Sequence, residues 1–479
     1  MSHLRLIAAA ALRERVRWAR EHLYLLAVLG PVVVGMTYFG VGRLVREGEW
    51  SVTTAWAVAA GVGAAAALVV LGMSRASAEI YHVRRPESFF ESLPVETDTH
   101  FHVALVSRAA RTLPTAFVAV VARTLAGVGP LLDAALVPAL LVFVAVVSLA
   151  EVASALQWIH WGHARSRSPA AGALAFVVPG LFVCGLLLVV IVSPAKLPEA
   201  WRWAALAAGA AWSAAAFLLA RGWHARWRRS DMEFARRLGA VAGRDLRGVG
   251  VLTRRLNAST AALVARDLRL TLRRFSSAVY VSAGLAALIL VALFALLTTG
   301  VLPEGEPGAA ASWLDATWLA PVAATKVACV LATVALSSLA APLVAHELSR
   351  FWVERAAGAG AADVSRAKLW YARVVSAPAP AAAWAAGALS GEVPAFYVAP
   401  LLLENLWLWL LVSTVVGSFA FEIPEQPGLA LVLMSCTGLA AGLLVAWLWP
   451  VGFFLLPAIP SLVERGAMRA RYYLIEGGD

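Results

Sequence analysis

Charge is scarce in this sequence. Only 14% of its 479 residues are Asp, Glu, Lys or Arg, while 61% are hydrophobic, far more apolar surface than a soluble core of this length needs. The shortage excludes a soluble globular fold and leaves a chain that places its apolar excess in a bilayer. Cysteine is scarcer still. Cys184, Cys329 and Cys436 stand singly inside apolar runs, with no CxxC and no histidine at ligand spacing, and read as buried structural thiols. A cleavable signal is also missing, because charges at Arg13, Glu14, Arg15, Arg17 and Arg20 interrupt the first apolar run. That stretch reads instead as an amphipathic helix on the membrane surface. His346-Glu347 opens like a zinc-protease helix, but Arg350 stands where the second histidine belongs, and no metal site is expected.

What is present is a series of apolar runs, each long enough to cross roughly 30 Å of hydrocarbon. They begin near Leu23, Ser51, Thr115, Gly129, Ser168, Trp201, Ala278, Thr317, Ser376, Pro394, Gly428 and Trp449. The expected fold is therefore an all-α polytopic membrane protein of about twelve transmembrane helices. The net charge of +11 belongs to the loops between spans, so it reads as topology and not as nucleic-acid binding. Arg75, Arg84, Arg85, Arg108 and Arg111 follow the second span, Arg165 and Arg167 the fourth, and ten arginines crowd residues 221 to 255. These loops and both termini are expected in the cytoplasm. The segment GVLPEGEPGAAASWLDATW holds three acids and no base, as an outer loop should. EIPEQPG at 422–428 fits poorly, falling on the cytoplasmic side with acids alone. Trp201, Trp203, Trp318, Trp447 and Trp449 sit at span ends as an aromatic belt, whereas Trp407 and Trp409 fall near mid-span.

The chain repeats. LRERVRWAREH at 12–22 has a counterpart in ARDLRLTLRRF at 265–275, each running into a span. LLDAALVPALLVFVAVVSLAEV at 131–152 aligns without gaps on LLENLWLWLLVSTVVGSFAFEI at 402–423, setting Asp133 on Glu404 and Glu151 on Glu422. The acids in each helix are about five turns apart, so they share a face and are separated by roughly 27 Å. Two parallel six-helix halves are expected, 1–220 and 261–479, each preceded by an amphipathic surface helix and joined by a basic linker at 221–260. A groove between the halves is the expected substrate path.

The cytoplasmic loop after the second span contains FESLPVETDTHFH at 90–102, and its counterpart after the eighth is HELSRFWVERAAGAGAADVSRAKLWYARVV at 346–375. Each opens with a charged stretch, passes a turn and continues as a basic helix into the next span. Asp98 or Thr99 caps the helix through Val103 and Arg111. This order, with Glu87, Glu91, Leu93, Pro94 and Val95 in the first loop, resembles ABC-2-type exporter permeases, the EcsB-like group among them. The second loop has Gly358, Ala359 and Gly360 in place of Pro-Val but keeps Glu354 and the run Ser365-Arg366-Ala367-Lys368. The resemblance implies a membrane subunit of an ATP-driven exporter in a bacterial-type inner membrane. Glu87, Glu91, Leu93, Pro94, Val95, Arg108, Glu354, Arg366 and Lys368 would then receive two copies of an ATPase. ATP and Mg belong to that partner, because this chain has no GxxxxGK[ST] and its glycine-rich GAGAADVSRAK places Asp363 where the lysine motif would begin. No catalytic residue, cofactor or nucleic-acid partner is expected in the chain itself, and the exported substrate is not specified.

Ionisable groups within spans are candidates for function, since their burial is costly. They are Lys326, Asp133, Glu404, Glu151, Glu422 and Arg123. Lys326 is expected to pair with Glu404 or Asp133, or to act in substrate passage. An ion-coupled secondary carrier using Lys326 and the paired acids is the alternative reading, and a membrane-embedded lipid-modifying enzyme is another.

Overall fold

The computed structural model describes residues 51–83, ten helical residues between Phe101 and Val120, 136–163, 169–192, 198–229, 256–273, 276–299, 319–348, 356, 358–425, 427–447 and 457–475. Every regular element among them is a helix. In chain order they are α1 (Val52–Val83), α2 (Leu136–His163), α3 (Pro169–Val192), α4 (Glu199–Arg229), α5 (Ala258–Arg273), α6 (Ser276–Thr298), α7 (Leu319–Ser337), α8 (Ala340–Glu347), α9 (Ala361–Ser376), α10 (Pro378–Ser390), α11 (Ala395–Ser418), α12 (Pro427–Trp447) and α13 (Ala458–Ile475). Among the described residues, seven stretches are long and apolar enough to cross a membrane: 53–70, 136–156, 199–224, 278–298, 320–347, 395–421 and 429–446. The chain is a helical membrane protein. The first surface helix and the span near Leu23 lie outside the described residues, as do Asp133, Arg123 and most of the third span.

The chain divides into two compact units, Met1–Ala242 and Gly243–Asp479. In the first, α2 packs on α1, α3 and α4 around Phe143, Leu181, Leu187 and Ile191. Glycines allow α1 and α3 to touch at the backbone: a Cβ on Gly185 would stand 2.2 Å from the Ala59 carbonyl oxygen, and one on Gly63 2.7 Å from that of Leu181. Such contact replaces the hydrophobic drive that lipid cannot supply between helices. The described residues from Phe101 onward bury Phe101, Arg108, Thr112 and Ala116 while Val106 and Leu113 are exposed. That is the spacing of one helical face.

In the second unit α11 contacts α7, α9, α10 and α12, and its core holds Leu343, Tyr371, Leu408, Val416 and Phe421. Two spans differ from the sequence reading. The one expected from Ser376 is α10, whose 13 residues reach only about 20 Å at the usual helical rise. Ala377 keeps helical angles, φ −53° and ψ −30°, but Pro378 and Pro380 carry no N–H to bond across the junction, so α9 and α10 form a rod jointed at Ala377. The apolar last turns of α9 supply the missing length, and Gly391, at φ +78°, ends the rod in a left-handed cap. The other is the span expected from Trp449. Residues 448–456 lie outside the described residues, and the next element is α13, which carries Glu464, Arg465, Arg469 and Arg471 and is not among the apolar helices.

Candidate functional site

The second unit gathers charge where α5, α8 and α9 meet. α5 begins at Asn257, whose Oδ1 accepts the Thr260 backbone N–H at 2.9 Å as an N-cap. The same side chain donates Nδ2–H to Asp363 Oδ1 at 2.9 Å, and Thr260 Oγ1 donates to that oxygen at 3.3 Å, tying the start of α5 to the first turn of α9. The Asn257 hydrogen bond is the main reason the Asp363 carboxyl lies below its ordinary range. Farther along, Thr260, Val264, Asp267 and Thr271 form a buried stripe on α5, and the hydroxyls of Thr271 and Tyr371 are hydrogen-bonded at 2.9 Å. Between these links Lys368 of α9, fully buried, donates Nζ–H to Asp267 Oδ2 at 2.7 Å and also pairs with Glu347 of α8. Arg266, partly exposed, reaches Asp267 Oδ1 at 3.0 Å and Glu347 Oε1 at 2.7 Å. Two acids thus meet two bases, which is how buried charges are tolerated.

This arrangement corrects the expectation for Lys368. A lysine in a basic loop helix reads as a solvated docking charge, but here its ammonium is buried and paired with Asp267 and Glu347. Arg108 is corrected likewise. Its Nη1 donates to Glu151 Oε1 at 2.6 Å with both side chains buried, and Thr112 donates to the Arg108 carbonyl. Of the other expected docking residues, Arg366 is exposed on α9, while Glu87, Glu91, Leu93, Pro94, Val95 and Glu354 lie outside the described residues.

The acidic segment at 422–428 finds its bases in α13. Arg465 donates Nε–H to Glu422 Oε1 at 2.8 Å, and Arg469 Nη2 lies 3.2 Å from Oε2. The Arg465 guanidinium also stands 4.8 Å over the Phe419 ring. A Cβ on Gly466 would meet the Ser365 hydroxyl at 3.1 Å and the Ser418 backbone at 3.4 Å, so α13 lies close against both α9 and the end of α11. The missing positive charge of that loop is supplied by a helix that hydropathy alone assigns to the twelfth crossing.

Nearer the opposite end of the spans, Lys326 of α7 meets Glu404 of α11, Nζ to Oε2 at 2.5 Å, both buried. Tyr397 donates its hydroxyl to Glu404 Oε1. Of the two partners expected for Lys326, Glu404 is paired with it, and Asp133 lies outside the described residues. The next residue, Asn405, is fully buried, and neither atom of its amide has a hydrogen-bond partner among the described residues. Pattern reading missed Asn405, although an amide in the middle of an apolar run is a signal of its own. Trp407 is buried within this unit, and Trp409 donates Nε1–H to Ser376 Oγ at 3.0 Å. Cys184 and Cys329 are buried as expected, but Cys436 is exposed on α12. An apolar run does not place a thiol inside the protein when lipid can cover it. No family model, curated protein or solved structure matches the chain.

Proposed function

We propose that the chain is the membrane subunit of an ATP-driven exporter, moved by a separate ATPase through its cytoplasmic loops. The supporting observation is the α9–α10 rod. Its charged first half is locked to α5 and α8 by Lys368, Asp267 and Glu347, and its second half runs through a helical Ala377 into apolar surroundings beside α7 and α11. A push at the start of α9 is passed on to α10 because both halves of the jointed rod pack against the same two neighbours, α7 and α11. Partner sites would then lie at Arg366 and at the loop residues Glu87, Glu91, Leu93, Pro94, Val95 and Glu354, with ATP and Mg held by the partner, two copies per chain. Both termini would face the cytoplasm of a bacterial-type cell, and twelve spans in two parallel halves would complete the subunit.

The test is to insert two glycines at Ala377 in a chain carrying one labelling cysteine at Ser390, in place of the native three. With the partner bound, nucleotide is expected to change the labelling rate of that cysteine in the intact rod and to leave it unchanged in the interrupted one. Equal nucleotide responses in both would contradict the lever. Glu87→Arg with Glu354→Arg is expected to leave the chain in the membrane and release it from the partner. A second reading, an ion-coupled carrier, is favoured by one observation, the buried Lys326–Glu404 pair, and requires transport without any ATPase.

A further inference from the structure

We propose that the seam between α7 and α11 is a substrate site for a zwitterionic group, a primary ammonium and an anion held a few ångströms apart. The proposal rests on the chain being a transport subunit and names the chemistry it carries. Lys326 and Glu404 face each other across this seam at 2.5 Å. A buried ion pair is often worth less to a fold than apolar residues of the same volume, so stability alone does not explain it. Asn405 makes the point more sharply. It is 0% exposed, and its Oδ1 and Nδ2 are both unpartnered among the described residues, an arrangement that costs the fold free energy.

The backbone of Asn405 belongs to the same seam as the pair. The residue follows Glu404 on α11, and its backbone carbonyl accepts the thiol of Cys329 at 3.5 Å, which lies less than one turn beyond Lys326 on α7. Tyr397 holds the far oxygen of Glu404, fixing the carboxylate while its other oxygen changes partner. A zwitterion matches this pattern of charge. Its anion takes Lys326, its ammonium takes the released carboxylate of Glu404, and Asn405 supplies a donor and an acceptor to the polar groups that remain. No proton has to move and no charge is left uncompensated. A lone anion or a lone cation would strand one member of the buried pair, which is strongly unfavourable.

Two sources carry this chemistry, a short peptide and the headgroup of an aminophospholipid. The purified full chain is tested against both: its melting temperature is followed with alanyl-alanine in detergent, and in nanodiscs of phosphatidylethanolamine against phosphatidylcholine, whose ammonium has no N–H to donate. One arm is expected to raise the melting temperature in a dose-dependent way and thereby to name the source. Asn405→Leu is expected to raise the melting temperature without ligand, because it removes the orphan amide, and to weaken binding roughly tenfold. Glu404→Gln, which still accepts the Tyr397 hydroxyl, is the second variant and is expected to abolish the shift. The proposal is overturned if neither arm responds, if the response survives both substitutions, or if Asn405→Leu lowers the ligand-free melting temperature, which would make the amide structural. No ATPase is present in these measurements, so zwitterion binding by a chain that recruits no ATPase would keep the site and remove the exporter reading, and the reverse result would do the opposite.

Discussion

Lys368 is held by charge on every side that it can reach. In Lys368→Met, Asp267 and Glu347 keep only Arg266 among the described residues, and the expected cost is roughly 3–5 kcal/mol, the usual penalty for stranding a buried charge. Arg366→Ala, two residues away but exposed, is expected to change stability by no more than about 0.5 kcal/mol. Melting of the purified variants in detergent checks both. Burial works against the Lys368 charge, yet Asp267 and Glu347 outweigh it and hold the ammonium above the ordinary lysine value of 10.5. The folded state therefore binds this proton more tightly than the unfolded state, so its stabilisation is complete below about pH 10.5 and is lost as pH rises through the raised value. A stability profile that falls in alkali for the parent chain, and falls less for Lys368→Met, is the expected result. Asp363 has the opposite sign. Its carboxyl lies below 3.8, so its contribution is present above that pH and fades as acid protonates it, and Asn257→Ala is expected to flatten the acid limb. That Lys326, Glu404, Glu151 and Glu422 each need a partner was legible in the sequence, because an apolar run makes any charge conspicuous. For Lys326 the sequence also named Glu404 as one of two candidate partners, but for Glu151 and Lys368 the partner was not legible. Glu151 takes Arg108 from 43 residues away and Lys368 takes Asp267 from 101, and bases in a cytoplasmic loop look solvated until the fold is known.

Helices fared differently according to how they pack. α1, α2, α4, α6, α7, α11 and α12 are long apolar runs, and apart from α2, whose approach at 121–135 lies outside the described residues, each begins within a few residues of where hydropathy rises. α9, α10 and α13 did not follow hydropathy, since a rod that changes from charged to apolar partway has no boundary at its membrane crossing. The α5 stripe Thr260, Val264, Asp267 and Thr271 has helical spacing but is mostly polar, so it reads as the solvated face of a surface helix when it is the packed one. At the scale of elements, Gly185→Val is expected to separate α1 from α3, because even a Cβ there would stand 2.2 Å from the Ala59 carbonyl oxygen. A loss of several kcal/mol is expected, on the order of severe overpacking in a close-packed interior, and is seen as reduced yield of folded chain. Arg465→Ala with Arg469→Ala is expected to free α13 from Glu422, raising hydrogen exchange across 458–475 while leaving the Lys326–Glu404 seam protected.

The whole molecule carries ion pairs at both levels of its second unit: the neutral cluster of Lys368, Arg266, Asp267 and Glu347 at the loop end of the spans, and Lys326 with Glu404 toward the other. α7 and α8, separated by a turn at 338–339, carry one member of each, Lys326 and Glu347. A displacement of the α9–α10 rod at the first cluster therefore has a packed route to the second, which is the physical content of the exporter reading. The central claim is that a separate ATPase drives this rod. The most direct measurement is to purify the chain gently from its native membranes, identify the proteins that accompany it and assay the preparation for ATP hydrolysis. The expected result is a co-purifying subunit bearing GxxxxGK[ST], at two copies per chain, with hydrolysis that is lost when Glu87→Arg and Glu354→Arg release it. An intact, folded chain that brings no ATPase with it would contradict the account and leave the ion-coupled carrier in its place.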